Sequence, residues 1–271
     1  MSLRARIYLL LVAGFAVGPF LPLVVQSLAF RWAWPALVPT WTWEAPPSRF
    51  APPGWDYVLS PASRVWEATL NTVGIGLAVT LLCLAICLPA ARVLGRGRFR
   101  GKGALEFAVS LPLVVPEAAV ALALLMIAIR LGLAGTYAGI VLVHLIPCIP
   151  YMTRMLTAVW QGLGPEHEEA AALLGASPVR ILWHVTLPML MPGVLAGALF
   201  AFLVSTNVFL LTFLLGQGRV VTLPTLLFSK ISGGTLDASA AGIALVAALP
   251  GLVLLAVSDR LIREEAFARG L

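Results

Sequence analysis

Charge is scarce in this chain. Of its 271 residues only 11% are Asp, Glu, Lys or Arg, while 60% are hydrophobic. A soluble domain of this length needs far more polar surface, so that class is excluded. Histidine is nearly missing, with 3 in all. No His-Glu-x-x-His pair and no plausible nucleophile–base pair occurs, which leaves a membrane enzyme without its chemistry and names no catalytic residue. Cysteine is also rare. Cys83, Cys87 and Cys148 all sit in apolar stretches. Cys83 and Cys87 fall on one helix face, but no His or carboxylate lies nearby, so they read as small buried apolar side chains and not as metal ligands. A Gly-x-x-x-x-Gly-Lys-Ser/Thr phosphate loop is absent as well. Gly216-Gln217-Gly218 lacks both the lysine and the preceding strand. The chain therefore hydrolyses no nucleotide by itself. No internal repeat stands out.

What the chain has is long apolar runs. About 20 such residues match the hydrocarbon core of a bilayer. They predict six spans, near Ile7–Leu28, Leu70–Ala91, Phe107–Ile129, Tyr137–Val159, Leu190–Leu215 and Ala238–Val257. The first run is too long for a cleaved signal segment and is read as a retained anchor. The fold class expected is an all-α integral membrane protein, a single transmembrane domain over 1–271. The net charge of +6 invites a nucleic-acid reading, and Gly95-Arg96-Gly97-Arg98 looks like an Arg-Gly tract. That tract lies between two spans, however, where topology wants basic residues. Placing it and the N-terminus in the cytoplasm puts about twelve of the 18 Lys and Arg inside, with both termini cytoplasmic. The external segment, about 29–65, is rich in Pro and carries Trp32, Trp34, Trp41, Trp43, Trp55 and Trp66. An interfacial aromatic belt is the favoured reading, over a docking surface for an external partner.

The most informative stretch, about 161–188, lies between spans four and five. Pro165 suits a helix start, and Glu166, Glu168 and Glu169 suit the first turns beside the helix dipole. Gly175 suits a left-handed C-terminal position, Ser177 an N-cap, and Pro178 the first residue of a second helix. Two short helices bent at a glycine and closed by Leu187-Pro188 are expected. The first, acidic at one end and small-residue-rich after it, can lie in a groove of a partner or can be an ordinary interfacial helix.

Here a resemblance enters. Glu169-Ala170-Ala171, Gly175 four residues later, then Val185-Thr186-Leu187-Pro188 resembles the EAA loop of the permease subunits of binding-protein-dependent ABC importers. The spacing fits throughout, and the likeness extends over nearly the whole chain. It implies the type I importer architecture. It also implies that Glu168, Glu169, Ala170, Ala171, Gly175, Leu187 and Pro188 form the coupling element for a cytoplasmic ATPase. The implied partners are an ABC ATPase dimer carrying ATP and Mg, a second permease subunit (identical or homologous), an external or periplasmic solute-binding protein and the lipid of an inner membrane. The chain itself is expected to hold no cofactor, metal or nucleic acid. A secondary transporter or channel without an ATPase is the competing class.

Asn71-Thr72, Leu111-Pro112-Leu113-Val114-Val115-Pro116-Glu117 and Thr222-Leu223-Pro224 resemble the spermidine/putrescine-type branch, implying a polyamine or related solute. Ser205-Thr206-Asn207-Val208 departs from it, because that branch commonly carries paired acids there. Glu117, inside an apolar run, is either a pathway acid or a carboxyl serving backbone freed by Pro112 and Pro116. Asn71, Glu117, Thr206 and Asn207 are the candidate pathway residues. Interhelical hydrogen bonding is nevertheless the favoured reading for Thr206 and Asn207, and a hydrogen-bonded structural role the favoured one for His144. Gly193 with Gly197, and less clearly Gly135 with Gly139, allow close helix packing, within the chain or at a subunit interface.

Overall fold

Apolar segments must satisfy their backbone hydrogen bonds internally, and here they do so almost wholly as helices. The computed structural model describes residues 3–32, 38–44, 54–233 and 237–268. The α-helices are α1 (Leu3–Val17), α2 (Phe20–Leu28), α3 (Trp55–Leu59), α4 (Val65–Arg96), α5 (Lys102–Ser110), α6 (Glu117–Arg130) and α7 (Tyr137–Gly162). They continue with α8 (Glu166–Leu173), α9 (Pro178–Ile181), α10 (Leu187–Asn207), α11 (Leu210–Gly216), α12 (Leu223–Ser232) and α13 (Ala238–Ala268). Among the described residues, four helices are long and apolar enough to cross a membrane, and six if each of two bent pairs counts as one span. The chain divides into two compact units, 1–70 with 221–249 and 71–220 with 250–271.

In the first unit, α1 and α2 meet at a 43° bend beside Gly18 and Pro19. Two short strands, β1 (Ala29–Arg31) and β2 (Thr40–Trp41), pair antiparallel, an addition to the all-helical expectation. The tryptophans are divided in their roles. Trp41 and Trp43 stack at 5.1 Å, and Trp55 Nε1 donates to Ser27 Oγ over 3.3 Å. Trp32, Trp43 and Trp66 are exposed, and Trp34 lies outside the described residues. Val58, Val65, Ala68, Leu223 and Ile243 form the apolar core of this unit.

The second unit is built on α7 packed along α10. Its core includes Cys83, Cys87, Cys148, Met152, Leu156, Trp160 and Leu190. The three cysteines are free and buried; Cys148 Sγ donates to the Ala201 carbonyl over 3.3 Å. His144 is buried with both ring nitrogens engaged, Nδ1 with Ser205 Oγ at 3.0 Å and Nε2 with Thr212 Oγ1 at 2.8 Å. Gly193 and Gly197 are used inside the chain. A Cβ at Gly193 would lie 2.6 Å from Val159 Cγ2, and one at Gly197 would lie 2.6 Å from Met152 Sδ. Gly135, in contrast, serves a turn at φ +73° before α7.

Two expected spans are corrected. The third is not continuous, because α5 and its 3-10 extension to Leu113 meet α6 at a 94° bend. The cause is local. Pro116 disfavours helical backbone at the preceding residue and is itself extended, at ψ 128°. The fifth span starts earlier than Leu190, since Pro178–Asn207 runs through as one apolar segment. It also stops at Asn207, where Val208 turns extended at ψ 114°, before α11 resumes. Leu187-Pro188 therefore opens α10 instead of closing the loop, with Pro188 at a first-turn position where its missing N–H costs little.

The α7–α10 contact makes a direct prediction. Gly193→Val should lower the thermal midpoint of the purified protein, at a cost of about 1–3 kcal/mol, because a branched side chain must displace Val159. Gly74→Ala, where nothing lies within 4 Å, should leave the midpoint unchanged or raise it slightly. Equal midpoints for both variants would contradict the packing.

Candidate functional site

The segment from Leu163 to Pro188 folds as its sequence anticipates, with one internal contact the sequence did not announce. Pro165 lies one position before the first helix, α8, which runs for 8 residues rather than about ten. The helix ends in a Schellman arrangement. Gly175, at φ +82°, donates its N–H to the Ala172 carbonyl over 2.9 Å, and Ala176 donates to Ala171 over 3.1 Å. A side chain at Gly175 would meet nothing within 4 Å, so the glycine is needed for its backbone angle and not for space. Ser177 then caps α9, accepting from the Arg180 N–H at 3.4 Å. A wider π-type turn over Leu182–Thr186 joins α9 to α10.

Glu168 is the centre of this segment. Its Oε2 accepts from Arg96 at 2.5 Å and from Arg92 at 3.2 Å, both on α4. Its Oε1 accepts from Thr186 Oγ1 at 2.6 Å. Arg96 also donates to the carbonyls of Leu163 and Gly164, at 3.3 and 3.0 Å, and its guanidinium lies 4.5 Å from the Trp160 ring centroid. The pair is sheltered, with 16% of the Glu168 side chain exposed and 22% of that of Arg96. Burial alone would raise the carboxyl's pKa. The hydrogen bonds from Thr186 and Arg96 and the charges of Arg96 and Arg92 outweigh it and hold the pKa below the usual carboxylate range. The stabilisation is thus present above that range and lost as pH falls through the lowered value.

The other motif residues point elsewhere. Glu169 and Ala170 are exposed and Ala171 is half-buried. Beyond them Leu173 is 90% and Leu174 88% exposed, an unusual state for two adjacent leucines at the end of a short helix. One end of the segment is therefore bound to α4 and α10, and the other presents apolar surface. Sequence reasoning missed Arg92, Arg96 and Thr186. The arginines were visible only as part of a topological charge cluster.

A second feature lies where helices break. A cavity of about 420 Å³ is lined by Pro112, Glu117, Pro147, Tyr151, Val204 and Asn207, among others. Glu117 is exposed at the first turn of α6, at the 94° corner rather than in the middle of a helix. Asn207 ends α10 and donates its Nδ2 to the Leu203 carbonyl over 2.7 Å. Glu117 and Asn207 thus share one cavity. Thr206 is buried beside it, donating to the Leu203 carbonyl over 3.1 Å, and does not line it. Asn71 lies elsewhere, accepting from the Tyr137 hydroxyl over 2.9 Å. Interrupted helix in an apolar span is tolerated where the freed backbone is buried in protein or lines a watery cavity.

Comparison with known proteins agrees with these features. Residues 87–263 match the model of the family described as binding-protein-dependent transport system inner membrane component. The molybdenum transport system permease protein ModB of Mycobacterium tuberculosis is 32% identical over 269 residues, covering 94% of this chain and 93% of the relative. The putrescine transport system permease protein PotI of Escherichia coli K12 is 32% identical over 184 residues, 62% of this chain and 64% of the relative. Among solved structures, a bacterial ABC transporter involved in the import of the acidic polysaccharide alginate has a similar fold. The TM-score is 0.72 at 18% identity, with 96% of this chain and 98% of that one covered. The chain belongs to the binding-protein-dependent transport system inner membrane component family, and is a permease subunit of an ABC importer.

Proposed function

We propose that this multi-pass permease forms one half of a channel, paired with a second permease subunit that is identical or related. ATP, with Mg, is hydrolysed on a partner ATPase dimer in the cytoplasm, where both termini of this chain also lie. A solute-binding protein delivers the solute from outside. The segment 163–188 is the coupling element. The observation that carries this reading is its two-sided construction. Glu168 fixes the segment to α4 and α10, while Glu169, Leu173 and Leu174 face outward, ready to enter a groove on the ATPase. A movement of the ATPase is then passed to two spanning helices through one carboxylate. The cavity at the breaks beside Glu117 and Asn207 is the solute's path through this half. The relatives' cargoes do not fix the solute, because one is named for molybdenum and another for putrescine.

Three outcomes are expected. First, Gly175→Val places a β-branched residue at φ +82°, a cost of about 1 kcal/mol or more, and pushes α8 out of line. In reconstituted vesicles with the ATPase and binding protein, uptake should fall at least tenfold while the permease stays inserted. Uptake at the wild-type rate, with the ATPase retained, would remove the coupling role. Glu169→Lys should act in the same direction, more weakly.

Second, Arg96→Met removes one hydrogen bond of about 1.5–3 kcal/mol to a sheltered carboxylate. ATP hydrolysis should continue but lose its response to the loaded binding protein. Full retention of that response would show that the Glu168 contact transmits nothing. Third, native mass measurement of the assembled complex should give two membrane subunits and two ATPase subunits, since one chain offers one such segment. A transport-competent complex with a single membrane subunit would overturn the pairing.

A further inference from the structure

We infer that the cavity beside Glu117 and Asn207 is a site for a cationic solute, a protonated amine or a similar donor-rich group, and not for an oxyanion. The inference rests on the pathway reading above. Among the described residues, Glu117 is the one charged residue lining this cavity, and no Lys, Arg or His lines it. Its neutral polar groups add acceptors beside that charge. Asn207 uses one of its two Nδ2 hydrogens on the Leu203 carbonyl, which leaves the amide oxygen to accept and one N–H to donate. Pro150 has no N–H, so the carbonyl of Ile146, a lining residue, has no donor four residues on. The Tyr151 hydroxyl can likewise donate as readily as accept.

An oxyanion needs the reverse, N–H donors and positive charge around it. The N-terminus of α6 does offer a partial charge of roughly +0.5. Glu117 belongs to that first turn, though, and a full carboxylate charge outweighs it. The balance at the corner is therefore negative. The remaining lining, such as Leu113, Val115 and Leu211, is apolar and strengthens whatever field the carboxylate sets up. The volume lies within the ~300–1,000 Å³ usual for small-molecule sites.

The test needs no knowledge of the solute. A cysteine is placed at Val204, or separately at Val120, in the full complex with its ATPase in lipid nanodiscs. Each is reacted with the cationic 2-(trimethylammonium)ethyl methanethiosulfonate and with the anionic 2-sulfonatoethyl methanethiosulfonate. The wild-type chain, whose three cysteines are buried, is the control. The cation-to-anion rate ratio, divided by that for a free thiol in solution, should be about tenfold or more, and should fall to within about twofold in the Glu117→Gln background. A corrected ratio near one with Glu117 intact, or a ratio unmoved by Glu117→Gln, overturns the cationic site and leaves the pathway standing. If neither cysteine reacts with either reagent, water does not reach the cavity, and the pathway reading falls together with the inference.

Discussion

The segment 163–188, our proposed coupling element, depends on a single carboxylate held against α4 and α10. Glu168 accepts from Arg96, Arg92 and Thr186, and those three donors sit on α4 and at the start of α10. An exposed ion pair of this kind would contribute ~1 kcal/mol or less. This one is sheltered, and its pairing outweighs the penalty of burial, so removing Glu168 leaves the sheltered Arg96 charge without its carboxylate. The same guanidinium also takes up the carbonyls of Leu163 and Gly164 at the end of α7. Three spanning helices therefore meet the segment through Arg96 and Glu168. The Schellman turn at Gly175 then directs Leu173 and Leu174 away from that anchor.

The second constraint is backbone continuity. Pro116 breaks the third span, Asn207–Val208 breaks the fifth, and Pro147 and Pro150 lie within α7. Each would be costly against lipid, where an unpaired carbonyl finds no donor. They converge on one cavity instead. The breaks also explain why Glu117 can occur in so apolar a stretch, since it stands at a corner facing open space and not in the middle of a helix. The two constraints divide the second unit's work. Rigid α7–α10 packing at Gly193 and Gly197 carries the anchor, and the interrupted helices border the cavity.

Much of this was legible in the sequence because it is local. Apolar run length gave the helices, and Pro165, Gly175, Ser177 and Pro178 gave the two-helix segment to within a residue. Hydropathy could not see the corner at Val114–Pro116 or the stop at Asn207, because Val and Leu continue the apolar signal across both. The Glu168–Arg96 contact was illegible for a different reason. Its partners are 72 residues apart, and an arginine beside a span is already accounted for by topology. Glu168 itself was read as a docking residue because it adjoins Glu169-Ala170-Ala171, the stretch that resembles the EAA loop. Only the turn of α8 tells which of two adjacent glutamates faces inward. Thr206 and Asn207 show the same limit, since one faces protein and the next one a cavity.

The central claim is that the outward face of α8 enters the ATPase while its inward face stays bound to the spanning helices. Spin-label mobility at Leu173 tests this most directly. A nitroxide attached through Leu173→Cys in the nanodisc-embedded permease should be mobile alone, and become immobilised and shielded from a water-soluble relaxant when the ATPase is added. A label at Leu59, 79% exposed in the first unit, should not respond. Bound ATPase with a Leu173 label still mobile and accessible would contradict the account.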